Sequence, residues 1–373
     1  MAPREADTQA LDDAITSTLT RLTEFAAFLK PSTPSPLTEP IKTPPNPLNV
    51  LRDSAMLVKA HTTKISLLAI NKPFTPSAIA KVIRLLSAEC LPAMMSAVQI
   101  CEQESGVWSN VIAREAQARV RRVFLEMETL LQEVQAVSQG NGNARSRNSL
   151  SSTGVVWESC DALIELQKLG LGGLAVQKAE QWRDTIKDAI LELEEWKEGE
   201  DPDTEGHDAL LDSEDEAVEG DKGSVEDLFF AANSLPSDRL ELKTLVEDSI
   251  NRLRKVVLLY SALLKRRLRT FDKSCDGADE GTDERRAKVS RLDEALAGLQ
   301  KVPHQVDDLA GCFYDLDEER AKVGLAKCVE TALSAALTMK VDWTGNEDEF
   351  TAWRVKWKAA VDPDVKEKQA IGG

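Results

Sequence analysis

The densest group of potential ligating or acid–base side chains in this chain is the run DSEDEAVEGDKG, from Asp212 to Gly223. A calcium loop of the helix–loop–helix type needs oxygen ligands at positions 1, 3, 5 and 12 and a glycine at position 6. Counted from Asp212, position 6 is Ala217 and position 12 is Gly223, so the pattern fails. Counted from Asp276, Gly281 is in register, but positions 3 and 12 are Ala278 and Ala287. The acids therefore read as a solvated, disordered spacer, because like charges repel and little apolar surface is available for burial. Ser213, followed by Glu214, Asp215 and Glu216, resembles a site for an acid-directed kinase, where a phosphate would deepen the negative field.

Three histidines, His61, His207 and His304, are the other candidates for ligation or proton transfer. None follows a glutamate at the Glu-x-x-His spacing of di-iron bundles, and no pair has zinc spacing. The six cysteines (Cys90, Cys101, Cys160, Cys275, Cys312 and Cys328) include no C-x-x-C pair and read as buried free thiols of a reducing compartment. A nucleophile elbow, a phosphate loop and a dinucleotide fingerprint are all missing from the sequence. A non-enzymatic protein without cofactor or metal is expected; an enzyme on a helical scaffold is the reading against it.

Two further clusters suit binding. LLKRRLRTF (263–271) places Lys265, Arg266, Arg267 and Arg269 together. It reads first as a helix C-terminus whose cations complement the dipole, then as a nuclear-import or nucleic-acid patch, and last as a cyclin-docking peptide of Arg-x-Leu type. Trp353 and Trp357 lie one helical turn apart. They are candidate anchors of a partner groove, since helix-in-groove docking needs apolar side chains at this spacing; the alternative is that both cover the end of a bundle. Thr33, Ser35 and Thr43 precede prolines but read as parts of a plain proline-rich loop.

The elements that must hold these residues are helices. The chain has 373 residues, enough for two or three domains, and 42% hydrophobic content against only 5% aromatic. Leu, Ala, Glu, Lys and Arg, all good helix formers, dominate, and β-branched runs are scarce. Net charge is −17, of which Glu198–Asp227 supplies −13 from fourteen acids and Lys222, leaving −4 for the rest. A net acidic surface disfavours direct nucleic-acid binding. No stretch of about 18 apolar residues exists, so membrane insertion is not expected. The N-terminus MAPREADTQALDD lacks a basic-then-apolar signal, and a cytoplasmic and nuclear location is expected.

Apolar periodicity predicts helices over 7–30, 48–70, 75–104 (kinked near Pro92), 107–138, 154–168 and 174–197, the last two hinged at LGLGG. Beyond the acidic run it predicts 238–271, 284–316 with a break at Pro303, 317–339 and 347–360. The stripe Val246, Ile250, Leu253, Val257, Tyr260, Leu264 and Leu268 reads as an internal bundle face, because it lacks four sustained heptads. Seven prolines in 31–47 make a loop. The expected organisation is all-α: an N-terminal helical bundle (1–197, with the Pro-rich loop 31–47), a disordered acidic linker (198–235), a C-terminal helical bundle (236–361) and a flexible tail (362–373).

Two stretches carry a resemblance to a known family. VVWESCDALIEL (155–166) leads into the acidic run, and RLDEALAGLQKVPHQVDDLAGCFYDL (291–316) ends in a Val-Asp-Asp-Leu-Ala block followed by Tyr314. In this order, with an acidic spacer between, they resemble the GCIP family of D-type cyclin-binding proteins, most strongly over 150–340. Asp315 and Leu316 follow Tyr314 where relatives carry prolines, so the chain resembles a divergent, fungal-type member. The resemblance implies vinculin- and α-catenin-like helical bundles. It also implies a non-enzymatic regulator of cell-cycle progression whose partners are D-type cyclins or helix-loop-helix transcription factors. The alternative expectation is a cytoskeletal or adhesion adaptor built from such bundles.

Overall fold

The computed structural model describes residues 2–30, 44–140, 151–198, 235–236, 239–275 and 282–362. Most of the proline-rich loop, the acidic run with Ser213 and His207, and the C-terminal tail lie outside these residues, as do Thr33, Ser35 and Thr43. The described residues are all-α, with no strand among them. In chain order the α-helices are α1 (Ala2–Phe28), α2 (Pro47–Ile70), α3 (Pro76–Leu85), α4 (Leu91–Gln103), α5 (Ser105–Trp108) and α6 (Asn110–Ser138). They continue with α7 (Ser152–Glu198), α8 (Leu240–Arg266), α9 (Phe271–Cys275), α10 (Asp283–Tyr314), α11 (Glu318–Thr338) and α12 (Glu349–Val361).

The residues group into two compact units. The first contains α1 to α6, α7 as far as Leu174, and the start of α10 through Ser290. Its core is made by the stripes that the sequence shows: Leu11, Ile15 and Leu22 of α1 and Val123, Met127, Leu130 and Val134 of α6 are fully buried. The α7 segment lies along both α2 and α6. Asp161 receives Lys59 at 2.5 Å, and the Ala162 carbonyl accepts from Arg119.

The second unit holds the rest of α7, α8, α9, the rest of α10, α11 and α12. In α8, Val246, Leu253 and Tyr260 of the predicted stripe are fully buried, and α11 adds Ala332 and Ala336, with Met339 just past its end. Glu194 of α7 pairs with Arg254 of α8, and Arg269 with Glu180 at 2.7 Å. The sequence places a domain boundary at the acidic run; the compact units instead divide at Leu174/Ala175, inside α7. Charge composition marks the acidic run, but packing partners define a unit, and the C-terminal part of α7 packs on α8. The described residues on either side of the acidic run meet: the Leu235 amide donates to the Trp196 carbonyl at 3.3 Å, within this unit.

Three predicted interruptions resolve differently. At Gly170 the backbone takes φ 60°, ψ −165°, a conformation open in practice to glycine alone, so α7 is two helices meeting at a kink. At Pro92 the chain inserts a π-helical stretch, Leu86–Cys90, before α4. The expected break at Pro303 does not occur: α10 is continuous through it. A proline inside a helix removes one donor, and here a neighbouring side chain replaces it, as the Tyr260 hydroxyl donates to the Leu299 carbonyl at 2.6 Å.

Candidate functional site

The two tryptophans proposed as anchors sit on α12, which the chain builds with a strong start. Asp348 caps it: its carboxylate accepts from the Thr351 amide, and its own amide donates to the Thr351 hydroxyl, both at 3.2 Å. Such reciprocal capping satisfies two donors that a helix end leaves free. From there Phe350, Trp353 and Trp357 follow at spacings of three and four and form one aromatic row. The rings of Phe350 and Trp353 lie 5.6 Å apart, and those of Trp353 and Trp357 stack at 5.9 Å with planes 20° apart.

The structure gives the two tryptophans different environments. Trp357 is buried, and its indole N–H donates to the Lys255 carbonyl of α8 at 2.8 Å. Lys255 in turn donates to the Ala360 carbonyl, so α8 and α12 clasp each other at this end. Trp353 is half-buried and lines a groove of about 420 Å³ together with Phe350, Glu349, Ala262, Lys265 and Arg266. Of the predicted pair, then, Trp353 opens onto a groove and Trp357 is enclosed between α8 and α12.

The basic cluster forms the opposite wall and is mostly committed to the fold. Arg266 pairs with Glu349 in the groove lining. Arg267 is 1% exposed. It holds Asp348 in a two-pronged pair at 2.7 and 2.8 Å, donates to the Met339 carbonyl, and lies 4.5 Å over the Phe350 ring. Its carbonyl accepts from the Trp343 indole at 2.8 Å. These hydrogen bonds hold the Asp348 carboxyl at a pKa of about 2, below its ordinary value of 3.8. Sequence reading missed this centre: it saw four cations at a helix end, while the buried one finds its acceptor 81 residues later. The capping pattern Asp348-x-x-Thr351 was the available signal that the loop before α12 carries a fixed carboxylate. Among the four cations, Lys265 is exposed and forms no ion pair with a described residue.

Elsewhere the candidate ligands stay apart. Among the described residues no group of three or more His, Cys, Asp or Glu side chains is placed to hold a metal ion. His61 is half-buried, and burial lowers its pKa. All six cysteines are buried free thiols; burial raises Cys90 to about 11 and Cys101, Cys160 and Cys328 to about 12. No described helix is long and apolar enough to cross a membrane.

Residues 50–199, covering most of α2 through α7, match the family model described as Grap2 and cyclin-D-interacting, N-terminal, of the GCIP family. The chain is 32% identical over 156 residues to the cyclin-D1-binding protein 1 homolog of Xenopus laevis, an alignment spanning 41% of this chain and 44% of that protein. These matches support a divergent member of the GCIP family. A second relative, an uncharacterized protein of Schizosaccharomyces pombe, is 25% identical over 332 residues, 86% of each chain. The family match contains the first of the two resembling blocks, 155–166, and ends before the second, 291–316. The α8–α12 groove lies outside the GCIP-matched span and is defined by structure alone.

Proposed function

We propose that this GCIP-family chain is a non-enzymatic interaction protein of the cytoplasm and nucleus that restrains cell-cycle progression by binding a D-type cyclin or a helix-loop-helix transcription factor. The observation that carries this reading is the similarity over α2–α7 to a family described as cyclin-D-interacting, together with a relative named as a cyclin-D1-binding protein homolog. The helical units supply rigid surfaces, and the groove beside Trp353 is the proposed docking place, because a half-buried aromatic at a groove floor is the type of anchor on which interfaces concentrate their energy.

The test is direct binding. The full chain is titrated onto immobilised D-type cyclin and onto a helix-loop-helix domain, with a cyclin of another class as control. Selective binding with a Kd in the micromolar range or tighter, about −8 kcal/mol, supports the reading. Equal or absent binding to all three proteins refutes it.

A further inference from the structure

The α8–α12 groove has a chemistry that narrows its occupant. Three residues of α8, Leu258, Ala262 and Lys265, step by four and three and therefore share a face. On α12 the corresponding row is Glu349, Trp353 and Lys356. Leu258, one turn before the groove-lining Ala262, is 57% exposed and extends the apolar surface beside the groove. Ala262 has the smallest side chain of the α8 residues that line the groove. The Arg266–Glu349 pair stands in the groove lining, and the Lys255–Ala360 hydrogen bond joins the two helices farther along. The exposed face of α8 from Leu258 to Lys265 is about 10 Å long at 1.5 Å per residue, about two helical turns.

The rim is positive. Lys265 of α8 lines the groove, Lys356 of α12 lies one turn past Trp353, and both are exposed without an ion pair to a described residue. In a chain of net charge −17, free cations concentrated around an exposed apolar floor are an uneven distribution of charge. A second copy of this chain docked face to face would set these lysines against their own equivalents, which like-charge repulsion opposes.

We infer that the groove takes an acidic amphipathic helix of a partner protein, with apolar side chains at i, i+3 or i+4 and i+7 packing on Ala262, Phe350 and Trp353 and on the neighbouring Leu258, and carboxylates meeting Lys265 and Lys356. The inference rests on the proposed partner-binding role of this groove and names the chemistry of what it binds. The carboxylates steer and orient the helix; the apolar residues hold it.

The probe is a fluorescent amphipathic peptide of about four turns, with leucine or phenylalanine on one face and glutamate on the other, titrated with the full chain by anisotropy. A charge-inverted peptide carries lysine in place of glutamate. The acidic peptide is expected to bind at least about tenfold more tightly than its inverted counterpart, and to weaken as salt rises. Lys265→Glu with Lys356→Glu, both exposed substitutions, is expected to reverse that preference. Ala262→Leu, which fills the floor with a good helix former, is expected to weaken the acidic peptide by at least about tenfold without lowering the melting temperature. Equal binding of both peptides, no binding, or an unchanged affinity in the lysine double variant overturns the inference. So does binding seen only after deletion of residues 224–234, which would assign the groove to the chain's own acidic and apolar stretch. No cyclin or transcription factor enters this test, so its failure leaves the partner reading standing, and a failed cyclin titration leaves the groove chemistry standing.

Discussion

The Tyr260 hydroxyl donates a 2.6 Å hydrogen bond to the Leu299 carbonyl, the acceptor that Pro303 leaves without its helical donor. The first unit uses the same device. In its π-helical stretch the Leu91 amide reaches back five residues to the Leu86 carbonyl, and the next donor in that pattern would be the missing N–H of Pro92. Its acceptor, the Ser87 carbonyl, takes Arg21 of α1 instead, at 2.8 Å. Each unit thus keeps a proline inside a long helix by bringing a side chain from another helix to the orphaned oxygen, which would otherwise be costly to bury.

Tyr260→Phe is therefore expected to destabilise the chain by about 1–3 kcal/mol, more than the loss of one exposed hydroxyl, since a buried carbonyl loses its donor. Pro303→Ala restores the backbone N–H, so in that background the same substitution is expected to cost less than about 0.5 kcal/mol. Denaturant unfolding of the four variants of the cycle measures the coupling; strict additivity would disprove the link. Burial also raises the Tyr260 pKa. The neutral hydroxyl's contribution is complete below the unfolded tyrosine pKa, near 10, and declines as pH rises above it, where the unfolded chain ionises first.

Arg267 and Asp348 form an unequal pair, 1% and 31% exposed. Removing the carboxylate strands a buried guanidinium, whereas removing the guanidinium leaves a carboxylate that still reaches water. Asp348→Ala is expected to cost about 3–5 kcal/mol and Arg267→Met less than that. The depressed pKa of Asp348, about 2 against 3.8, adds a pH signature. Its stabilisation is present above pH about 4 and is lost as pH falls toward 2; after discounting for exposure it amounts to about 1–2 kcal/mol. Acid unfolding curves of the wild type and of Asp348→Asn should converge over that window, and parallel curves would refute the assignment.

The helices were legible in the sequence because each rests on local information. The stripes Val246–Leu268 and Val123–Val134 follow helical spacing, and LGLGG marks a kink. Pairings across long separations were not legible. Nothing near Pro303 says that Tyr260 supplies its missing donor, and nothing in KRRLR says that one of its four cations, Arg267, is buried over Phe350. The boundary inside α7 escaped for a related reason. The acidic run is the obvious change of composition, but whether helix 174–197 joins the preceding or the following bundle is decided by contacts such as Glu194–Arg254. Trp353 and Trp357 stand out in the sequence by their spacing, and only the structure shows that Trp357 is buried and Trp353 half-buried.

Gly170 is the position in α7 where a side chain is least tolerable. Nothing lies within 4 Å of where its Cβ would be, so the cost of Gly170→Ala is conformational and is expected at about 1–3 kcal/mol. Gly154 also faces open space, but in helical geometry, and Gly154→Ala is expected to stabilise by about 0.5–1 kcal/mol. Opposite signs of the two shifts in thermal unfolding are the expected result. A neutral Gly170→Ala would mean that α7 passes residue 170 in another conformation.

The division of labour on α12 predicts that stability and binding separate between its two tryptophans. Trp357 is buried and donates its indole N–H to Lys255, so Trp357→Ala is expected to cost about 3–5 kcal/mol. Trp357→Phe keeps most of the packing and loses the hydrogen bond, for about 1–2 kcal/mol. Trp353 packs on Phe350 and Trp357 but opens onto the groove. Trp353→Ala is expected to cost under about 2 kcal/mol of stability while weakening the bound partner by at least about 2 kcal/mol, since an aromatic anchor at a groove floor carries a large share of an interface's energy. Unfolding and partner titration on the same three variants decide it. If Trp353→Ala unfolds as readily as Trp357→Ala and binds the partner with unchanged affinity when folded, both tryptophans belong to the scaffold and the docking place lies elsewhere.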